Sequence, residues 1–157
     1  MTRSGATYFE HAGVASVRWE ADTATVMVVW EGWADSAEFG ALLDAEIAAL
    51  NDHKGSRLLA DCRRQRVLSP ADQLRADKEW TPRALAAGLR QFAIVLPQSA
   101  LAAMNLRDLL AKVPKRVMSV PAVQPAALSM LLALLTSYWL NPSTSLVYDL
   151  SAVVIGP

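Results

Sequence analysis

Five apolar residues stand in a row at positions 92–96 (FAIVL), and Pro97 ends the run. A strand with one solvated face would alternate polar and apolar residues, so an unbroken apolar run predicts a strand that is covered on both faces. Strands of this kind belong to parallel sheets, whose crossover connections place helices over the sheet. The run therefore predicts an α/β fold with a sheet that is at least partly parallel.

The N-terminal part of the chain predicts a β-hairpin followed by a helix. Residues 14–19 and 24–30 are rich in valine and aromatic residues, and the four residues between them have turn chemistry. Asp35 and Glu38 have the spacing of a capping box, and apolar residues then recur at helical spacing as far as Gly55. The residues before the hairpin are assigned to a strand or a tail.

The middle of the chain predicts a strand and an interrupted helix. Residues 57–61 form a short apolar strand, after which Ser69 can serve as an N-cap, with proline at the favoured first helical position. Pro82 lacks a backbone N–H and should kink or interrupt this helix near Trp80. The helix is expected to stop at Gly88.

After the FAIVL strand, the sequence predicts a weaker helix within 101–113, a short strand at 116–120 and an apolar helix at 126–140. Strands that alternate with helices after an opening hairpin give a mixed, largely parallel sheet. At 157 residues the chain is the size of one domain. The apolar tail at 141–157 matches no pattern that we recognise.

Composition narrows the classes of partner. Lysine plus arginine and aspartate plus glutamate each number 15, so the overall charge favours neither nucleic acid nor an anionic membrane. The longest apolar run, 126–140, is shorter than the roughly 20 residues that a membrane span needs. The N-terminus lacks the pattern of a secretory signal, and the single cysteine, Cys62, favours a reducing compartment. We therefore expect a cytoplasmic protein.

Three segments, VVWEGWADSAEF, LLADCRRQRVLSPADQ and EWTPRALAAGLRQFAIVLP, resemble a family of small bacterial STAS-like domains related to the SpoIIAA anti-anti-sigma fold. The resemblance spans roughly residues 14–114. It implies a four- or five-stranded sheet with helices mainly on one face, and binding of a protein partner or small ligand instead of catalysis. It also places a serine that a partner kinase phosphorylates near Ser69, but the Asp-Ser-Ser-Gly type of phosphosite is absent here, so helix capping explains Ser69 better.

The turn after the strand at 57–61 is the expected binding edge. Ligands of parallel sheets bind beyond the carboxyl ends of the strands, and this end carries Asp61, Arg63, Arg64 and Arg66, close to the helix that starts at Ser69. Guanidinium groups and free helix amides suit a phosphate or a carboxylate. The alternative is that Asp61 pairs with an arginine and the other charges are solvated.

Trp80 and Arg83 are the second group of candidate ligand-binding residues. A tryptophan beside a helix kink and a cation could line a pocket under the Asp61 edge, or the ring could simply cap the core. Cys62 is interpreted as a buried, unreactive thiol because no histidine follows it nearby. The sequence contains no catalytic constellation, no metal-ligand cluster and no cofactor-binding loop that we identify.

Two hypotheses of function follow. The first is a non-enzymatic STAS-like module that recognises a protein partner or a small anionic or apolar ligand at the edge from Asp61 to Ser69. The second is a small hydrolase or transferase that uses Asp61 and the neighbouring arginines. Residues 126–140 would carry an apolar arc of roughly 200° as a helix, wider than one sheet face covers, so we also expect a homodimer formed through this helix and the tail.

Overall fold

The structure, a computed structural model, describes residues 5–110 and 122–123. Within these residues, six strands form one sheet whose spatial order follows the chain: Ala6–His11 (β1), Ala15–Glu20 (β2), Thr25–Trp30 (β3), Arg57–Asp61 (β4), Gln91–Val95 (β5) and Ala122–Val123 (β6). Strands β1 to β3 pair antiparallel, and β3 to β6 pair parallel. The predicted hairpin and the predicted mixed sheet are confirmed, and β1 resolves the strand-or-tail alternative in favour of a strand.

Two of the four described α-helices begin directly after the caps that the sequence predicts, Asp35 and Ser69. The four helices are Ser36–His53 (α1), Pro70–Arg75 (α2), Thr81–Ala86 (α3) and Ala100–Leu110 (α4). The capping box before α1 is complete: the Glu38 N–H donates to Asp35 Oδ1 at 2.8 Å, and the Asp35 N–H donates to Glu38 Oε2 at 2.9 Å. Lys54, at φ 50°, ends α1 just before Gly55, and Gly88 follows α3 at φ 109°.

Pro82 interrupts its helix through a π-helical turn and not through a break. Residues Ala76–Trp80 form this turn between α2 and α3, and the Thr81 N–H donates to the carbonyl of Ala76, five residues earlier. The Thr81 hydroxyl donates to the same carbonyl at 2.9 Å. The wider turn keeps the backbone donors before the proline paired, and it brings Trp80 into the core at 6% exposure.

The two faces of the sheet differ in what they carry. The core face packs against the helices and includes Val17, Val28, Leu58, Ala60 and Ile94. By the strand register, the far face carries Met27, Val29, Leu59, Asp61 and Val95. Because successive residues of a strand point to opposite faces, Asp61 and its neighbour Ala60 belong to different layers of the molecule.

Several predictions fall on residues outside the described ranges. The strand at 116–120, the apolar helix at 126–140 and the tail at 141–157 are among them, so they stay predictions. The described helices include none long and apolar enough to cross a membrane.

Candidate functional site

At the predicted binding edge, Asp61 is already paired. Arg63 Nη2 donates to Asp61 Oδ2 at 2.6 Å, and Arg63 Nε donates to Asp61 Oδ1 at 2.9 Å. This hydrogen bonding raises the pKa of Arg63. Arg64 and Arg66 are exposed and make no ion pair with any residue that the structure describes. The geometry therefore matches the alternative in which Asp61 pairs with an arginine while other charges are solvated.

Ser69 acts as a helix cap. Its hydroxyl accepts from the Asp72 N–H at 3.1 Å and donates to Asp72 Oδ2 at 2.7 Å, and the Ser36 hydroxyl donates to the same oxygen at 3.0 Å. The buried Asp72 carboxylate thus occupies the amide end of α2, where the sequence suggested an anion. Capping, and not phosphate binding, accounts for the contacts of Ser69.

The six predicted ligand-binding residues do not converge on one site. Asp61 and Arg63 line a far-face hollow of about 240 Å³, together with Arg18 and Glu20. Trp80 lies on the core face, so it does not line a pocket under the Asp61 edge as the sequence suggested. The reason is the two-residue period of β4, which directs Asp61 away from the helices.

Arg83 lies at the surface between α1 and α3. Its Nη1 pairs with Asp44 Oδ1 at 2.8 Å, and both side chains are at least half exposed, so the pair contributes little to stability. Arg83, Arg75 and Trp80 line a groove of about 510 Å³ between α1 and the segment that contains the π-helical turn. Trp80 and Arg83 thus share a groove, as the sequence suggested, but it opens away from Asp61.

Trp80 also forms one wall of a cavity between the helices and the core face of the sheet. The cavity has a volume of about 70 Å³ and is lined mostly by apolar side chains from α1, α4 and the strands, among them Trp30, Phe39, Phe92 and Leu106. The rings of Trp80 and Phe92 pack at a centroid distance of 5.7 Å. Small-molecule sites are typically concave and apolar with a few polar groups, which is the composition found here.

Besides the Cys62 thiol, four polar side chains line this apolar cavity: Glu46, Gln65, Trp80 and Thr81. The Thr81 hydroxyl is already bonded to the Ala76 carbonyl, which leaves the other three for a guest. Glu46, Gln65 and Trp80 are 5%, 6% and 6% exposed, and the Trp80 indole N–H is buried without a hydrogen-bond partner among the residues that the structure describes. Burial raises the pKa of Glu46 to about 8, and the nearby Trp80 N–H offsets part of this rise, although it lies outside hydrogen-bonding geometry. At neutral pH the Glu46 carboxyl is therefore largely protonated and uncharged.

Cys62, directly after β4, lines the same cavity. Its thiol is buried, and burial, Asp61 and Glu46 together raise its pKa well above the ordinary value. A thiol that stays protonated is a poor nucleophile. The interpretation of Cys62 as a buried, unreactive thiol agrees with this environment.

The groove and the cavity adjoin each other. Leu43 of α1 and Trp80 line both spaces, so these two side chains lie where the groove meets the cavity. A ligand that reaches Glu46 through the groove would displace one or both of them. The π-helical turn that carries Trp80 is a backbone feature often found at functional sites.

Comparisons with known proteins do not identify a function for this site. No family model, no curated protein and no solved structure matches the chain. Within residues 5–110 and 122–123, no three histidine, cysteine or acidic side chains are grouped to hold a metal ion. The STAS-like resemblance accordingly stays a prediction.

Glu46 was not among the predicted site residues, although the sequence contains a signal for it. The apolar stripe of α1 includes Leu42, Leu43, Ile47 and Leu50, and Glu46 lies one, three or four residues from each of them. A helical position within such a stripe faces the core, so a glutamate there is a polar residue at an apolar position. Gln65 had no comparable signal, because loop residues have no periodicity.

Proposed function

We propose that this chain is a non-enzymatic binding domain whose small ligand occupies the cavity beside Glu46. The observation that carries the proposal is the buried Trp80 indole N–H, which has no hydrogen-bond partner among the described residues and lines the same cavity as the buried polar side chains of Glu46 and Gln65. Leaving a buried polar group unpaired costs roughly 1–3 kcal/mol, so such groups are usually satisfied by protein, water or ligand. A ligand that pairs with them would bind both tightly and selectively.

The fold that we propose is of the SpoIIAA-like type. An N-terminal antiparallel region followed by parallel β-α units supports it, as do helices from three parts of the chain that line one cavity. In this proposal, the exposed arginines Arg64 and Arg66 form the edge that a regulatory protein partner recognises. We further propose a cytoplasmic location, which the free thiol of Cys62 supports.

The alternative, a small hydrolase or transferase acting through Asp61, has weaker support. Both carboxylate oxygens of Asp61 accept hydrogen bonds from Arg63. A general base or nucleophile would first have to leave this pair. Turnover lost in Asp61→Asn would nevertheless favour the enzyme over the binding domain.

Native mass spectrometry of freshly purified protein tests the binding proposal. We expect a small-molecule adduct on the wild-type chain that is lost in Glu46→Leu, because leucine removes the polar anchor and keeps a similar volume. The matched control is Glu10→Leu, since Glu10 is exposed on β1 and far from the cavity lining. A chain without any adduct, or an adduct that both variants retain, would contradict a site at Glu46.

The homodimer is a separate proposal, because the residues that would form it, 126–157, lie outside the described ranges. Its support is the wide apolar arc that the sequence gives the helix at 126–140. Light scattering on the full chain and on a chain ending at Leu140 is the measurement. We expect a dimer for the full chain and a smaller species for the shortened one; a full-length monomer at high micromolar concentration would rule the dimer out.

A further inference from the structure

The polar groups in the cavity are mostly hydrogen-bond donors. The Trp80 indole N–H can only donate. A protonated carboxyl donates through its O–H, and Glu46 is largely in this form because burial disfavours its charge. The Gln65 amide can donate as well as accept. A guest that satisfies the Trp80 and Glu46 donors together must present an acceptor with two lone pairs, as a carbonyl oxygen does.

The described lining of the cavity disfavours an ion as the guest. Among the residues that the structure describes, no lysine or arginine lines it, so an anion would have no countercharge from that part of the lining. A cation would require Glu46 to ionise among buried apolar side chains, and it would leave the Trp80 donor unpaired. Either ion would also lose its hydration in an enclosure made mostly of apolar side chains.

The volume limits the part of a ligand that fits inside. About 70 Å³ is well above the roughly 10–15 Å³ that a single water needs and about half of a cavity of roughly 150 Å³ that holds benzene. The space therefore suits about three or four non-hydrogen atoms. A larger ligand would extend past Leu43 and Trp80 into the adjoining groove.

On the basis of the proposed function, we infer that the cavity takes the uncharged carbonyl group of a small ketone, aldehyde, amide or ester. The carbonyl oxygen accepts hydrogen bonds from Trp80 Nε1 and from the Glu46 carboxyl. The carbon substituents contact the apolar walls, among them Phe39 and Phe92. The groove admits the remainder of a longer molecule.

The probe is acetone, which has a carbonyl oxygen and four non-hydrogen atoms. The five tryptophans give distinct indole N–H resonances in an ¹⁵N-labelled sample, and Trp80→Phe assigns the one that matters. At pH 6 we expect acetone to move the Trp80 resonance downfield and saturably at millimolar concentration, since so small a ligand can contribute only a few kcal/mol. Isopropylammonium and acetate, which match acetone in size but carry charge, should leave it in place.

Variants at Glu46 test the second hydrogen bond. Glu46→Gln keeps a donor and should keep acetone binding within a few-fold, whereas Glu46→Leu should weaken it about tenfold, the effect of one hydrogen bond. If the charged probes bind as well as acetone does, the proposed ligand class is wrong but the proposed site stands. A response to xenon without one to acetone would mean an apolar cavity only. If no probe moves the Trp80 resonance, the proposed function itself fails.

Discussion

Replacing Glu46 with glutamine is expected to stabilise the folded chain at pH 8 by a few kcal/mol. The pKa of Glu46 rises from 4.5 to about 8 on folding, and each pKa unit corresponds to about 1.4 kcal/mol. Below pH 4.5 the carboxyl is protonated in both the folded and the unfolded chain, so its burial carries no ionisation penalty. Between pH 4.5 and about 8 only the folded chain retains the proton, so wild-type stability falls as pH rises. Glutamine has the same shape and no such penalty.

Urea unfolding at pH 4.5, 6 and 8 measures this difference. The variant and the wild type should have nearly equal stability at the lowest pH and separate steadily towards the highest. Glu10→Gln is the matched control, because Glu10 is exposed and its variant should follow the wild type at every pH. A stability difference that does not change with pH would contradict the burial of an ionisable Glu46 in an unpaired state.

Much of the fold could be predicted because its signals are local. The capping box at Asp35, the Ser69 cap and the apolar run at 92–96 each determine structure within a few residues, and the structure contains all three. Pro82 is a partial case. Its missing N–H predicted an interruption, but whether the backbone forms a break or a π-helical turn depends on packing around Trp80.

The site could not be predicted in the same way because it depends on which layer each side chain faces. The sequence suggested that Trp80 lines a pocket under the Asp61 edge, yet the two side chains lie on opposite faces of the sheet. Charge predicted a site at Asp61, Arg63 and Arg64, but Asp61 and Arg63 pair with each other and Arg64 is exposed. A better signal was polarity at an apolar position, as at Glu46, because burial without a partner is costly and calls for an explanation.

Replacing Trp80 with alanine should cost about 3–5 kcal/mol of stability, the usual effect of removing a buried tryptophan. The ring is 6% exposed, packs against Phe92 and borders both the cavity and the groove. Its loss should join the two spaces into one that admits an indole molecule. Added indole should then raise the melting temperature of Trp80→Ala. Each tenfold excess of indole over its dissociation constant should add about 1.4 kcal/mol to the free energy of unfolding.

Thermal unfolding with and without millimolar indole decides this, with Trp33→Ala as the matched control. Trp33 is 60% exposed, so its removal should change stability by no more than about 0.5 kcal/mol and create no site for indole. Indole should also leave the melting temperature of the wild type unchanged, because Trp80 itself fills the space. If Trp80→Ala is destabilised but indole does not restore its stability, the neighbouring side chains have moved into the space left by the ring. The surrounding fold would then not hold the cavity open. If indole restores stability, the space beside Glu46 can hold a guest, as a ligand site must.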